Sequence, residues 1–496
     1  MPDELDAAQR SAHGDMLPDD FRRAAHRVAD LMADYLENVE HYPVLPHVTP
    51  AGLRAALLGP PPEEPQPLDA ILADYATLVE PNITHWQHPG FFAYFASTGS
   101  APGILGEMLT STLIANAMLW RTAPVATELE QITVDWLRQG LGLPDGFDGL
   151  YTDTASTSSL IGLAAARQTA GDAAKDGLGG RAPLRIYAST EAHSSIEKAA
   201  MTLGLGRAGV RRIPVNARFE MEVPALSAAV AEDREEGWRP CGVVSTIGTT
   251  STTSVDPTAA IADVAEREGL WLHVDAAYAG VVALIPERRG AFAGWERADS
   301  IVVNPHKWLF TPIDCSLLLS RRMETIRDAF SLVPEYLRTT GGAESGRDFN
   351  EYTPQLGRRF RALKMWMLLR YFGLAGLRAR IAEHISWAGR FAEWVDAERD
   401  AQRMAPVPFS TVCFRWRPGR FAGREDEPAV ADELDALNEA LLARLNDTGT
   451  VFLSHTRLGG RFVIRIAINN LHSELAHVAR AWELVREIGR ELDRGR

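Results

Sequence analysis

The string SIVVNPHKWLF places Lys307 just after a β-branched run, with Asn304 and His306 beside it. Three such polar groups cannot all be core. A primary amine at a strand end, away from the i, i+4 spacing of helical ion pairs, can attack a carbonyl. Taken alone it also reads as an ordinary surface lysine, so its neighbours in the chain must decide.

Some thirty residues upstream, LWLHVDAAYAG closes an apolar strand on Asp275 among alanines. A lone buried carboxylate costs several kcal/mol, so this position calls for a charged partner or a set of loop backbone donors. A protonated ring nitrogen is one such partner, and a carboxylate that keeps it cationic makes the ring an electron acceptor.

YTDTASTSSLIGLAAAR runs small hydroxyl residues straight into a helical pattern. The free N–H groups and dipole of that helix start suit an anion such as a phosphate, with Ala155 and Ser156 in place to bind it; a plain Ser/Thr-rich cap looks similar. YASTEAHSSIEKAA brings His193 after another strand, where an imidazole could lie over a planar ring or serve the structure alone. Thr250, in STIGTTSTTS, could reach a cofactor oxygen or cap its turn.

These residues need a frame. From about Gly149 to Ser320 the runs RIYAS, CGVVSTI, LWLHVDAAY, SIVVN and SLLLS alternate with helical stretches, which predicts an α/β fold with a mainly parallel sheet covered on both faces. Asp256 at a cap position and Pro257 in the first turn mark the start of one crossover helix. Phe21 to Leu58 is a helical arm whose apolar face suits another subunit, and GPPPEEPQP, with five prolines in nine residues, is an extended crossing. Beyond Gly376, a helix with Leu434, Leu437, Leu441 and Leu445, the strand runs VFLSH and RFVIRIAI, and a last amphipathic helix form a smaller α+β unit. RPGRFAGREDEP is a surface loop. The expected divisions are 1–100, 101–375 and 376–496.

The 496 residues carry a net charge of −14, which opposes a nucleic-acid surface. No apolar run reaches the roughly 20 residues of a membrane span, and the acidic start is unlike a signal peptide; a cytoplasmic location is expected. The three cysteines, Cys241, Cys315 and Cys413, fit neither a disulfide framework nor a zinc cluster and read as buried thiols, and no metal is expected.

Together HPGFFAYF, APVATELE, TDTASTSS, EAHSS, IGTTS, HVDAAYAG, NPHKW and LGRRFRALKMW stand in the order seen in group II pyridoxal-phosphate decarboxylases. From about Asp20 to Leu492 the chain resembles the aromatic-L-amino-acid decarboxylase branch of that family. The resemblance implies a fold-type I enzyme that is a homodimer with shared active sites, binds pyridoxal 5'-phosphate and acts on a small amino-acid substrate. It implies that Lys307 is the Schiff-base lysine, Asp275 the partner of the pyridine nitrogen, His193 the stacking residue and Thr250 a neighbour of the ring's polar substituents. Ala155, Ser156, Asn304 and His306 match the phosphate side, and Trp86, Tyr94 and Phe95 an aromatic pocket formed partly across the dimer. Tyr336, followed by Gly341, Gly342 and Gly346, matches a catalytic-loop tyrosine that returns a proton to Cα; phenylalanine there goes with aldehyde synthases, the competing activity. Two departures bear on the substrate. Arg121 after Trp120 replaces a small residue and leaves open either an acidic or polar substrate or an interface arginine, whereas Gly357 leaves room for an indole. An aromatic amino acid is the expected substrate, with an acidic or aliphatic one as the alternative.

Overall fold

The computed structural model describes residues 4–11, 13–171, 173–332 and 346–494. Seven strands form the larger sheet: β1 (Asp148–Thr152), β2 (Leu184–Ser189), β3 (Val210–Ile213), β4 (Arg239–Thr246), β5 (Trp271–Asp275), β6 (Ser300–Val303) and β7 (Ser316–Ser320). Their order across the sheet is β1-β7-β6-β5-β4-β2-β3. From β3 through β6 every pairing is parallel, and β7 joins β6 and β1 antiparallel.

Why these segments are strands follows from their burial. β5 and β6 are buried at every position, as strands of a parallel sheet with helices on both faces must be. Val243, Leu272, Val274 and Ile301 enter one core, while Val244 and Ile186 enter another with Leu163 and Ile196. Thus the alternation of side chains feeds two helical layers.

The helix Ala155–Thr169 starts where Thr154, in extended conformation, accepts a hydrogen bond from the Thr157 N–H. Gly162 then lets it lie against the sheet, since a Cβ there would stand 2.9 Å from both His273 Nδ1 and Ser300 Oγ. The crossover helix runs Thr258–Glu268 with Pro257 as its cap residue. Asp256 is therefore not the cap that the sequence predicts: its buried carboxylate accepts from the N–H groups of Met221 and Thr246, both at 2.8 Å. Long-range backbone donors outcompete the local helix start.

The smaller sheet is antiparallel, in the order β10-β11-β9-β8, built from β8 (Ala401–Arg403), β9 (Thr411–Trp416), β10 (Ser454–Leu458) and β11 (Arg461–Ala467). β10 begins at Ser454 and not at Val451, because Phe452 instead bridges Phe91 of the N-terminal segment. The helices Pro428–Asp447 and Leu475–Arg494 cover one face, burying Leu437, Leu441, Leu445, Val478 and Val485 against Phe414, Phe462 and Ile464. In the loop after β9, Phe421 is buried, so that segment is anchored and not wholly surface. The helix Arg361–Ala397 reaches from one sheet to the other, with a break at Gly373 (φ 61°).

The arm helices Pro18–Asn38 and Pro50–Leu57 bury no residue, and Leu17, Phe21, Leu57 and Leu58 are exposed. Among the described residues no helix is long and apolar enough to cross a membrane.

Candidate active site

The ends of the parallel strands converge on one rim. After β6 the chain enters the short helix Pro305–Trp308, where proline in the first turn presets the backbone. The Asn304 N–H donates to the Ala277 carbonyl at 3.0 Å, tying that turn to the segment after β5, and the Lys307 N–H donates to Asn304 O at 3.0 Å. Lys307 is thereby held at the end of β6 beside the end of β5, which is Asp275.

Lys307 opens into a cavity of about 310 Å³. Its walls include His193 and Thr250 from strand ends of the large sheet, Tyr94 and Phe95 from the N-terminal segment, and Arg465 of β11. Lys307 Nζ stands 5.3 Å from the Phe95 ring centre, and among the described residues it has no hydrogen-bond or ion-pair partner. Burial pushes the ammonium pKa below its ordinary value; the Asp275 charge opposes this and the Arg465 charge adds to it. The amine is thus biased toward its nucleophilic, neutral form.

Asp275 is buried and accepts one hydrogen bond, from the Ala277 N–H at 3.1 Å. His193 holds Ser195 through Nδ1, at 2.8 Å from Oγ and 3.1 Å from the N–H. Its pKa is lowered by burial, with the Lys307 and Lys198 charges adding and Asp275 opposing. His306 accepts from the Cys315 N–H at 2.9 Å, and burial drives its pKa down to about 4. Among the described residues Asn304 Oδ1 is buried without a partner. At the start of the helix Ala155–Thr169, the N–H groups of Ala155 and Ser156 lie in the first turn, where no helix carbonyl can take them.

Orphaned donors and acceptors of this kind define what would fit. A free amine, a buried carboxylate with no ion-pair partner among the described residues and an open helix start match an aldehyde-bearing ring with a protonated nitrogen and a phosphate. Pyridoxal 5'-phosphate has these groups.

Residues 50–417 match the pyridoxal-dependent decarboxylase conserved domain. The chain belongs to the pyridoxal-dependent decarboxylase family. It is 38% identical over 480 residues to tyrosine decarboxylase 4 of Petroselinum crispum, covering 95% of this chain and 93% of that one. It is 38% identical over 490 residues to tryptophan decarboxylase 1 of Oryza sativa subsp. japonica, covering 96% and 94%. The crystal structure of Oryza sativa TDC with PLP and tryptamine superposes with a TM-score of 0.92 at 37% identity, covering 97% of this chain and 99% of the other. As a member of this family the protein is an amino-acid decarboxylase with pyridoxal phosphate as its cofactor, on the α/β fold expected from the sequence.

Not every residue singled out in the sequence meets at this decarboxylase cavity. Tyr94, Phe95, His193, Thr250 and Lys307 line it; Asp275, Ala155, Ser156, Asn304 and His306 lie outside its wall, and so, within one chain, do Trp86, Trp120, Arg121 and Gly357. Trp120 instead donates its indole N–H to Glu128 at 2.8 Å, and Arg121 is exposed. Tyr336, Gly341 and Gly342 lie outside the described residues. Conversely, Arg465 is a wall residue that the sequence reading passes over. Its guanidinium lies 4.4 Å from the Phe95 ring centre and donates to Ser251 O at 3.0 Å and to Tyr94 O, while Nη2 is buried and unpartnered. The available signal was a charge inside the apolar run RFVIRIAI, the same anomaly that marks Asp275.

Proposed function

We propose that the protein removes the α-carboxyl group of an aromatic L-amino acid, giving the arylalkylamine and carbon dioxide. The observation that carries this reading is the unpartnered Lys307 amine facing a cavity floored by Phe95, with the Asp275 carboxylate close enough to shift its pKa. The substrate class is supported by the likeness to tyrosine and tryptophan decarboxylases.

In this reading Lys307 would hold the cofactor through its amine. Asp275 would keep the ring nitrogen protonated, His193 would pack against the ring and Thr250 would meet its polar substituents, while Ala155, Ser156, Asn304 and His306 would hold the phosphate. The cofactor supplies an electron sink for the Cα–carboxylate bond. The protein orients that bond and excludes water, with aromatic side chains framing the substrate. Tyr336 returns a proton to Cα. The arm, which exposes apolar residues, supports a homodimer in which Trp86, Trp120, Arg121 and Gly357 approach the pocket across the interface. Divisions at 1–100, 101–375 and 376–496 then separate arm, cofactor unit and small C-terminal unit, and three free buried thiols suit a reducing cytoplasm.

A panel of tryptophan, tyrosine, phenylalanine, dihydroxyphenylalanine and glutamate, read by carbon dioxide release and amine yield, tests the reading. Turnover of the aromatic members is expected; turnover of glutamate alone would overturn the substrate class. Replacing Tyr336 by Phe diverts product from amine to aldehyde, with oxygen consumed. An unchanged amine yield would remove Tyr336 from the mechanism.

A further inference from the structure

Three rings stack in a column from the floor of the cavity into the body of the protein, and a fourth lies alongside the last. Phe95 faces Tyr278 with centroids 3.6 Å apart and planes 19° apart. Tyr278 faces Trp308 at 4.8 Å and 10°, and His384 lies edge to edge with Trp308, centroids 6.3 Å apart and planes 16° apart. At the cavity end the column meets two cations, since Phe95 lies beneath both Lys307 and Arg465.

The far end belongs to a separate element. His384 sits in the helix Arg361–Ala397, beyond its break at Gly373. Trp308 donates its indole N–H to His384 Nδ1 at 2.9 Å, and both side chains are wholly buried. An imidazole that accepts at Nδ1 must be neutral, because imidazolium has no lone pair to offer. Burial holds it so, driving its pKa down to about 3, with the Arg380 charge adding to the effect.

Trp308 is the residue after Lys307 in a helix of four residues. One turn of helix cannot hold its own orientation, because nucleation fixes several dihedrals for a single hydrogen bond. Backbone bonds tie this turn to the segment after β5, and the grip on the neighbouring side chain, Trp308, adds to them in setting the lysine's orientation. Tyr278 on one ring face and His384 at the indole nitrogen supply that grip, and Phe310 adds an edge contact to His384 at 5.9 Å.

We infer that His384 is a positioning residue for Lys307: by accepting the Trp308 indole proton it fixes the short helix that presents the cofactor-holding amine. This rests on the reading of Lys307 given above. His384 is not part of the cavity wall, and it reaches Lys307 through Trp308.

The test uses the full-length enzyme and two readouts, the pH midpoint of the visible band of the bound cofactor and the rate at which the stripped enzyme recaptures pyridoxal phosphate. Trp308→Phe keeps a six-membered ring in the column while deleting the N–H donor with the rest of the indole, and His384→Leu deletes the acceptor. Each is expected to displace the midpoint and to slow recapture roughly tenfold. The double variant is expected to be no worse than either single one, as for two partners of one bond. His384→Gln, which restores an acceptor, is expected to recover part of the loss. Parent-like midpoint and rate in the folded single variants would overturn the inference, as would losses that add in the double variant. Should His384→Leu fail to fold, Trp308→Phe and His384→Gln decide the matter by the same readouts. A parent enzyme with no visible band at all would sink the Lys307 reading, and this inference with it.

Discussion

Two lysines of this protein, one half-buried at the cavity and one fully enclosed, stand in opposite electrostatic settings. Lys364, in the helix Arg361–Ala397, is fully enclosed and fully used: its Nζ donates to Pro312 O at 2.9 Å and to Asp314 O at 2.7 Å and pairs with Glu107. Lys307 has no such partner, lies near an aromatic ring, and feels an anion and a cation from Asp275 and Arg465. The same side chain is thus a structural bolt in one place and, in the proposed function, a nucleophile in the other. Satisfaction of the ammonium separates the two, because three acceptors around Lys364 hold it protonated, and an ammonium has no lone pair to offer.

The comparison can be broken at either lysine. Lys307→Ala is expected to lower turnover by at least about a thousandfold and to abolish borohydride-fixable cofactor. Lys364→Met is expected to cost about 3 kcal/mol of stability, since it leaves two carbonyls unpaired and takes from Glu107 one of its two cations, Arg359 being the other, yet to keep the covalent cofactor in whatever protein stays folded. Mass spectrometry of the reduced enzyme checks both, and cofactor trapped on Lys364 would reverse the assignment.

Smaller effects come from the charges around Lys307. Asp275→Asn is expected to lower turnover roughly a hundredfold. It also removes the anion that favours the charged amine, so the pH at which cofactor is captured moves down. Arg465→Met removes a cation, lets the Lys307 pKa rise, and moves that pH up, with the smallest change in turnover. The two shifts must have opposite sign in a stopped-flow pH series. Shifts of the same sign would mean that Lys307 is not the group titrating.

How much of this was legible without coordinates depends on the kind of signal. The parallel sheet was readable because continuous β-branched runs separated by helical periods have few other solutions. Asp275 was readable because a carboxylate ending such a run is anomalous. Arg465 carries a similar anomaly, but in β11 it alternates with Ile464 and Ile466, and that alternation imitates a solvent-facing residue. Asp256 misled in the other direction. Asp before Pro is a strong local helix start, and nothing nearby in the chain announces that Met221 and Thr246 would claim its carboxylate. Ser251, Ser454 and Thr456, also at the cavity, are hydroxyl residues that the sequence gives no reason to single out.

The convergence of strand ends has one more consequence. His193, Thr250, Asp275 and Asn304 each follow or end a different parallel strand, whereas much of the opposite wall comes from β10, β11 and the segment around Tyr94. The groups that would grip the cofactor and those that would meet the substrate therefore ride on separate pieces of chain. Exchanging the second set can retune which amino acid is accepted while the first set stays in register, so substrate choice in this scaffold is modular, inherited apart from the chemistry it serves.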